Sequence, residues 1–263
     1  MKGILSIQDL SCVGRCSLTV ALPVLSAMNI RCSVLPTAVL STHTGFPNPY
    51  VRPLTDTLSP IAAHWHSQNI SFDAICVGYL SDPEQAETIL DIVTELSGTV
   101  ILDPVLGDGG KAYARITEDH VSAMKRLCQR ADVLLPNLTE AALLTGIPYE
   151  KACRDPESLL ASLASLGPKT VVITGTETED TIGFVGTDGT VFRYQAPRIP
   201  KKLHGTGDLF AAVFAGAYVS GKSCRDSATL AARFVERVVQ HTDPVTPFGP
   251  EFETQLPWLW EQR

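Results

Sequence analysis

The chain has 263 residues, 44% of them hydrophobic, with 21 Lys and Arg against 28 Asp and Glu and a net charge of −7. That is apolar material enough for a sizeable core, and the scattered basic residues of an acidic chain argue against a nucleic-acid-binding face. The start turns polar too soon for a signal peptide, no apolar run approaches the roughly 20 residues that span a bilayer, and seven dispersed cysteines contain no Cys-x-x-Cys pair, which leaves zinc and a disulfide framework without support and points to a reducing cytoplasm.

In chain order, residues 3–8 predict a buried strand. Residues 17–29 predict a helix with Ser17 as its N-cap and Pro23 as an awkward interior residue. Strand 32–40 and helix 54–68 follow, then strand 74–77 and helix 83–96, with Pro in its first turn and Gly98 past its end. Strand 100–102 runs into Asp103, helix 118–129 comes next, and strand 133–135 runs into Pro136-Asn137. Helices 140–145 and 156–166 precede a strand at 170–173. Residues 182–185 and 191–194, joined through Gly186-Thr187-Asp188-Gly189, predict a hairpin. Two late helices are expected at 209–219 and 227–240.

This alternation implies an α/β fold, a mainly parallel sheet with helices on both faces. No linker or repeat divides it, so one domain over residues 1–263 is expected. Ligands of such sheets bind beyond the carboxyl ends of the strands. The polar residues at those ends, Asp9, Asp103, Asn137 and Thr174, are therefore the candidates.

The most informative stretch is His204-Gly205-Thr206-Gly207-Asp208-Leu209-Phe210-Ala211-Ala212. Two glycines and a threonine open an Ala-rich helix and a carboxylate sits in its first turn. Free N–H groups and the positive end of the dipole make an anion site, and a carboxylate beside it suits a hydroxyl that attacks a phosphoryl group. The same residues also read as a plain Gly-rich helix entry. Gly216-Ala217-Tyr218-Val219-Ser220-Gly221-Lys222-Ser223 matches the phosphate-binding pattern G-x-x-x-x-G-K-[ST]. Yet it follows a helix pattern rather than a strand, Gly221 fits a helix end, and Ser223 with Asp226 fits a capping box. His64-Trp65-His66 lies on a helix where i and i+2 do not share a face, which is no metal site.

Four further segments fall into register with Gly205-Thr206-Gly207-Asp208: Ser41-Thr42-His43-Thr44-Gly45, Val77-Gly78-Tyr79-Leu80, Asp103-Pro104-Val105-Leu106-Gly107-Asp108 and Leu135-Pro136-Asn137-Leu138-Thr139-Glu140-Ala141. In this the chain resembles the pyridoxal kinase branch of the ribokinase-like superfamily, from Ile4 to about Val239. The resemblance implies a ribokinase-like three-layer sandwich and ATP-dependent phosphorylation of the 5′-hydroxymethyl group of pyridoxal, pyridoxine or pyridoxamine. It implies Asp208 as the base and the N–H groups of Gly205, Thr206 and Gly207 as the hold on the transferring group. Asp103, Asn137, Glu140 and Thr174 would serve the nucleotide, with Asp103 and Glu140 toward Mg²⁺. His43, Thr44 and Tyr79 would wall the ring, and Asp9 would touch the substrate.

It also implies a homodimer and a monovalent cation, K⁺. The residues keep other readings open. Pro104 and Gly107 also read as a turn, Asn137 and Glu140 as a helix cap, and His43 as a loop histidine. Asp9 stands where many pyridoxal kinases carry Ser, and Leu135 and Gly175 replace hydroxyl residues common at cation and nucleotide positions. The alternatives are a hydroxymethylpyrimidine kinase of the same superfamily and a non-catalytic B6-binding protein.

Overall fold

The computed structural model describes residues 1–262. The elements in order are β1 (Gly3–Ser11), α1 (Leu18–Ala27), β2 (Arg31–Leu40), β3 (Val51–Pro53), α2 (Thr55–Ser67), β4 (Ala74–Val77), α3 (Gln85–Glu95), β5 (Thr99–Leu102), β6 (Gly107–Asp108), β7 (Lys111–Ala112), α4 (Glu118–Cys128), β8 (Val133–Leu134), α5 (Leu138–Thr145), α6 (Tyr149–Arg154), α7 (Leu159–Ala164), β9 (Thr170–Glu177), β10 (Thr181–Thr187), β11 (Val191–Pro197), α8 (Thr206–Val219), α9 (Cys224–His241) and α10 (Leu256–Glu261).

Nine strands form one sheet in the order β11-β10-β9-β8-β5-β4-β1-β2-β3. The pairs from β2 to β9 are parallel, and the edge pairs β2–β3, β9–β10 and β10–β11 are antiparallel. The central strands read as unbroken apolar runs because both faces are covered. Side chains alternate between two cores. Leu5, Ile7, Ile75, Val77, Leu102 and Ile173 pack toward α2–α7. Ile4, Ala74, Ile101, Val133 and Val172 pack toward α1, α8, α9 and α10. This is the expected three-layer sandwich.

Two sequence expectations are corrected, the end of the strand before Thr174 and the capping role of Ser17. Strand β9 runs through Thr174-Gly175-Thr176 to Glu177, and its register against β10 shifts there, with Gly175 at φ +66°. A glycine at a bulge needs that left-handed conformation, so this position shapes the strand. Leu135 is buried in the core on the α8 side, which is why it is apolar. Ser17 stands at the N-cap position of α1 but caps nothing with its side chain, at φ +48°. The G-x-x-x-x-G-K-[ST] match is no phosphate loop: its first four residues, Gly216-Ala217-Tyr218-Val219, end α8, Gly221 turns the chain at φ +97°, and Ser223 caps α9 by accepting from the Asp226 N–H at 3.1 Å.

Candidate active site

The carboxyl ends of β1, β4 and β5 meet the N-terminus of α8, and the site is built on that junction. Gly205 is the N-cap of α8 at φ +94°, and a Cβ there would run into the Arg15 carbonyl oxygen. Only glycine fits. Thr206, Gly207 and Asp208 form the first turn, so their N–H groups are the ones without a carbonyl four residues back. Around Gly207 no atom would touch an added Cβ. With the cap N–H of Gly205, the turn thus presents open N–H groups over residues 205–208, the first to find its carbonyl four residues back being that of Leu209, on Gly205 at 3.2 Å.

Asp208 is held well above the usual carboxylate range, first by burial, then by the charges of Asp103 and Asp9, against hydrogen bonding from the Ser17 backbone. It lines a cavity of about 20 Å³ with Ser6, Gln8, Cys76, Asp103 and Ala211, room for about one water molecule.

Asp9 lies inside β1, not after it, beside the register shift between Gln8 and Leu10. A strand irregularity re-aims side chains next to a site. The residue is 4% exposed. Its two oxygens accept from the Ser17 hydroxyl at 2.5 Å and the Ser11 hydroxyl at 3.0 Å. Burial nevertheless raises its pKa, the two hydroxyls opposing. The bond to Asp9 helps hold Ser17 in a conformation that costs about 1–3 kcal/mol, and the backbone of Ser17 in turn meets Asp208. Asp9 is therefore linked to the candidate base through a single residue.

His43 is buried, with its Nδ1 accepting from the Gly45 N–H at 3.0 Å, so its Nε2–H donates to the Pro247 carbonyl at 2.9 Å. Both ring nitrogens are satisfied, and the ring packs against Phe46 and His204 at centroid distances of 4.9 and 5.6 Å. Tyr79 is also buried, its phenol raised by burial and by the Asp9 charge. Asp9, His43 and Tyr79 therefore converge. Thr44 is exposed beside them.

Of the residues expected to serve a nucleotide, Asp103 follows β5 and burial pushes its carboxyl up to about 7. Glu140 is raised too, by burial and then by Asp103. Its oxygens accept from the N–H groups of Leu106 at 3.1 Å and Asn137 at 2.8 Å. Asn137 accepts from the Glu140 N–H at 3.0 Å, completing the capping box of α5, and donates to the Gly107 carbonyl at 2.8 Å. The cap reading is thus realised: the box fixes Glu140 and ties the β6–β7 hairpin to α5. Thr174 bridges to Asn137, its N–H donating to the Pro136 carbonyl at 2.8 Å.

A half-buried carboxylate that raises a buried one fits a hard divalent cation. Among the described residues no cluster of three or more His, Cys, Asp or Glu forms a ready cage. Mg²⁺ takes one or two carboxylates and completes its shell with phosphate and water.

Sequence reasoning missed four participants. Tyr113 faces the charges of Glu140, Asp108, Asp208 and Asp103, and burial raises its phenol. The Cys16 thiol, raised by burial, faces Asp208 and Asp9. Ser17 is described above. Lys201 donates from one ammonium to the carbonyls of Val239 at 2.9 Å, Gln240 at 3.0 Å and Thr242 at 2.8 Å. None carries a local signal, since each acquires its role from a distant segment.

The phosphomethylpyrimidine kinase family model matches residues 26–249. A pyridoxal kinase from Leifsonia xyli is 28% identical over 82% of this chain and 81% of that protein. The crystal structure of a pyridoxal kinase from Lactobacillus plantarum, 36% identical, covers 100% of this chain and 98% of its own with a TM-score of 0.91. A candidate phosphomethylpyrimidine kinase from Bacteroides thetaiotaomicron, crystallised with pyridoxal, is 31% identical over 99% of this chain and 96% of its own, with a TM-score of 0.91. The chain belongs to the phosphomethylpyrimidine kinase family, and its relatives include pyridoxal kinases.

Proposed function

We propose that the protein is an ATP-dependent vitamin B6 kinase that phosphorylates the 5′-hydroxymethyl group of pyridoxal, pyridoxine or pyridoxamine. The observation that carries this is the junction at α8: a carboxylate of raised pKa in the first turn, beside open N–H groups and a second raised carboxylate across one small cavity. A pure binder has no need of a base beside an anion hole. The named relatives supply the substrate class: a family member crystallised with pyridoxal and pyridoxal kinases over most of the chain.

Asp208 takes the proton of the alcohol as it attacks the terminal phosphoryl group. Its raised pKa brings it closer to the working pH, where a base is most effective. The N–H groups of Thr206 and Gly207, with that of Gly205 at the cap, hold the charge that develops in transfer. Asp103 and Glu140 would hold Mg²⁺, which would neutralise phosphate charge; the Glu140 oxygens, which already accept backbone N–H groups, would do so through water. Asn137 and Thr174 line the nucleotide side. Asp9, Tyr79, Thr44 and the face of His43 wall the ring. A single domain acting as a homodimer in the cytoplasm completes the reading; the seven free cysteines suit a reducing compartment, and the dimer rests on the family resemblance.

The family model's name favours a second reading, hydroxymethylpyrimidine as the alcohol. ATP turnover against pyridoxal, pyridoxine, pyridoxamine and hydroxymethylpyrimidine decides. Turnover confined to hydroxymethylpyrimidine would overturn the B6 reading, and none with any alcohol would overturn the kinase.

A further inference from the structure

Lysine ammonium groups usually point into water. Lys201 does not. Its Nζ sits on three main-chain carbonyls, those of Val239, Gln240 and Thr242, at 2.8–3.0 Å. An ammonium has three N–H donors, and here all three are used. Val239 and Gln240 are in the last turn of α9, and Thr242 is its C-cap. These are carbonyls that a helix end leaves without partners, at the negative end of its dipole. Three convergent carbonyl oxygens that replace the hydration shell of a single positive charge are the donor set that binds K⁺. Here the charge is tethered to the chain.

The cradle adjoins the anion site. Lys201 lies four residues before Gly205. Beyond α9 the chain returns past the same turn: the Thr242 hydroxyl accepts from the Glu251 N–H at 2.9 Å, Pro250 packs against the position a Gly205 Cβ would take, and Gly249 lies against the carbonyls of Arg15 and His204. One ammonium therefore fastens the strand-to-helix loop that ends in Gly205-Thr206-Gly207-Asp208 onto the end of α9.

We propose that Lys201 is the site's built-in monovalent cation: its ammonium fills the three-carbonyl cradle, positions the anion-binding turn, and makes phosphoryl transfer independent of added K⁺ or NH₄⁺. Lys201 is a positioning residue, since it acts through the turn and not on the substrate. The inference rests on reading residues 205–208 as the anion hole of a kinase. It departs from the K⁺ requirement that the family resemblance implies.

The wild-type enzyme gives the first test and needs no variant. Turnover is measured in a buffer whose only monovalent cation is tetramethylammonium, too large for the cradle, and again with K⁺ at 100 mM. These are assay concentrations on the order of physiological salt. The two rates should agree within twofold. A tenfold or larger activation by K⁺ would overturn the inference while leaving the kinase reading intact; no turnover in either buffer would refute the kinase reading itself.

The second test is Lys201→Met, which keeps the stem and removes the charge. In tetramethylammonium its kcat should fall at least tenfold, with KM for the alcohol within threefold. K⁺, NH₄⁺ or methylammonium should restore most of the loss, and Lys201→Arg should retain more activity than Lys201→Met in tetramethylammonium. A loss identical in all buffers, or no loss at all, would overturn the cation role and leave Lys201 at most a structural fastener.

Discussion

Replacing Asp103 with Asn should stabilise the ligand-free protein at pH 8 while impairing it as a kinase. The physical reason is the pair of carboxylates it forms with Glu140. Burial pushes the Asp103 carboxyl up to about 7 from an ordinary 3.8, and Asp103 in turn raises Glu140. That rise is worth about 4 kcal/mol above pH 7, at about 1.36 kcal/mol for each pH unit. Water reaches the half-buried side chain, so about 2 kcal/mol is the expected gain on removing its charge. For a chain of this size that is roughly 4–8 °C in Tm.

The sign follows from linkage. A group whose pKa is raised on folding favours the folded state below its unfolded pKa. That contribution is lost as pH rises through the folded value. Below about pH 4 the wild-type carboxyl is protonated in both states, and Asn imitates the acid, so the two proteins should melt together. Between pH 4 and 7 both proteins lose stability through Asp9, Glu140 and Asp208, and the wild type loses the Asp103 contribution in addition. Calorimetric scans of the ligand-free protein at pH 4, 6 and 8 trace the divergence. A variant that melts with or below the wild type at pH 8, after matching it at pH 4, would show that these charges are not in conflict, and the case for a cation between them would fall with it.

Asp208→Asn should bind ATP nearly as the wild type does yet lose about 10²–10⁴-fold in kcat; a loss under tenfold would remove Asp208 from the role of base. Lys222→Ala should leave kcat and the KM for ATP within about threefold, because a half-buried charge at the turn between two helices contributes little, whereas a hundredfold loss would revive the phosphate-loop reading. Asp9→Ser should change the ratio of kcat/KM between pyridoxal and hydroxymethylpyrimidine by about tenfold or more, since an altered buried polar partner costs about 1–3 kcal/mol. Unchanged ratios with a lower Tm would confine Asp9 to supporting Ser11 and Ser17.

The sheet was legible because its central strands are short runs of Val, Ile and Leu buried on both sides, such as 100–102 and 170–173. Their polar endings, Asp103 and Asn137, then marked the ligand edge. Thr174 emerged within β9 because Gly175 bends the strand without ending it. The β6–β7 hairpin escaped notice because two-residue strands carry no period to read. Ser17 looked like an ordinary helix cap in sequence, and only the approach of β1 shows its hydroxyl turned to Asp9. Lys201 beside Lys202 reads as a solvated pair until α9 brings its end under one of them.

Four acidic groups raised by burial also alter the protein as a whole. Asp9, Asp103, Glu140 and Asp208 all hold protons more tightly folded than unfolded. The count of −7 from the sequence therefore overstates the negative charge of the folded, ligand-free molecule near neutrality. Its isoelectric point should lie above the 5.4 that the composition gives, and focusing in urea should return it toward that value. Occupying the site with a cation and nucleotide should expel protons into the buffer, so that the heat of binding depends on the ionisation enthalpy of the buffer chosen.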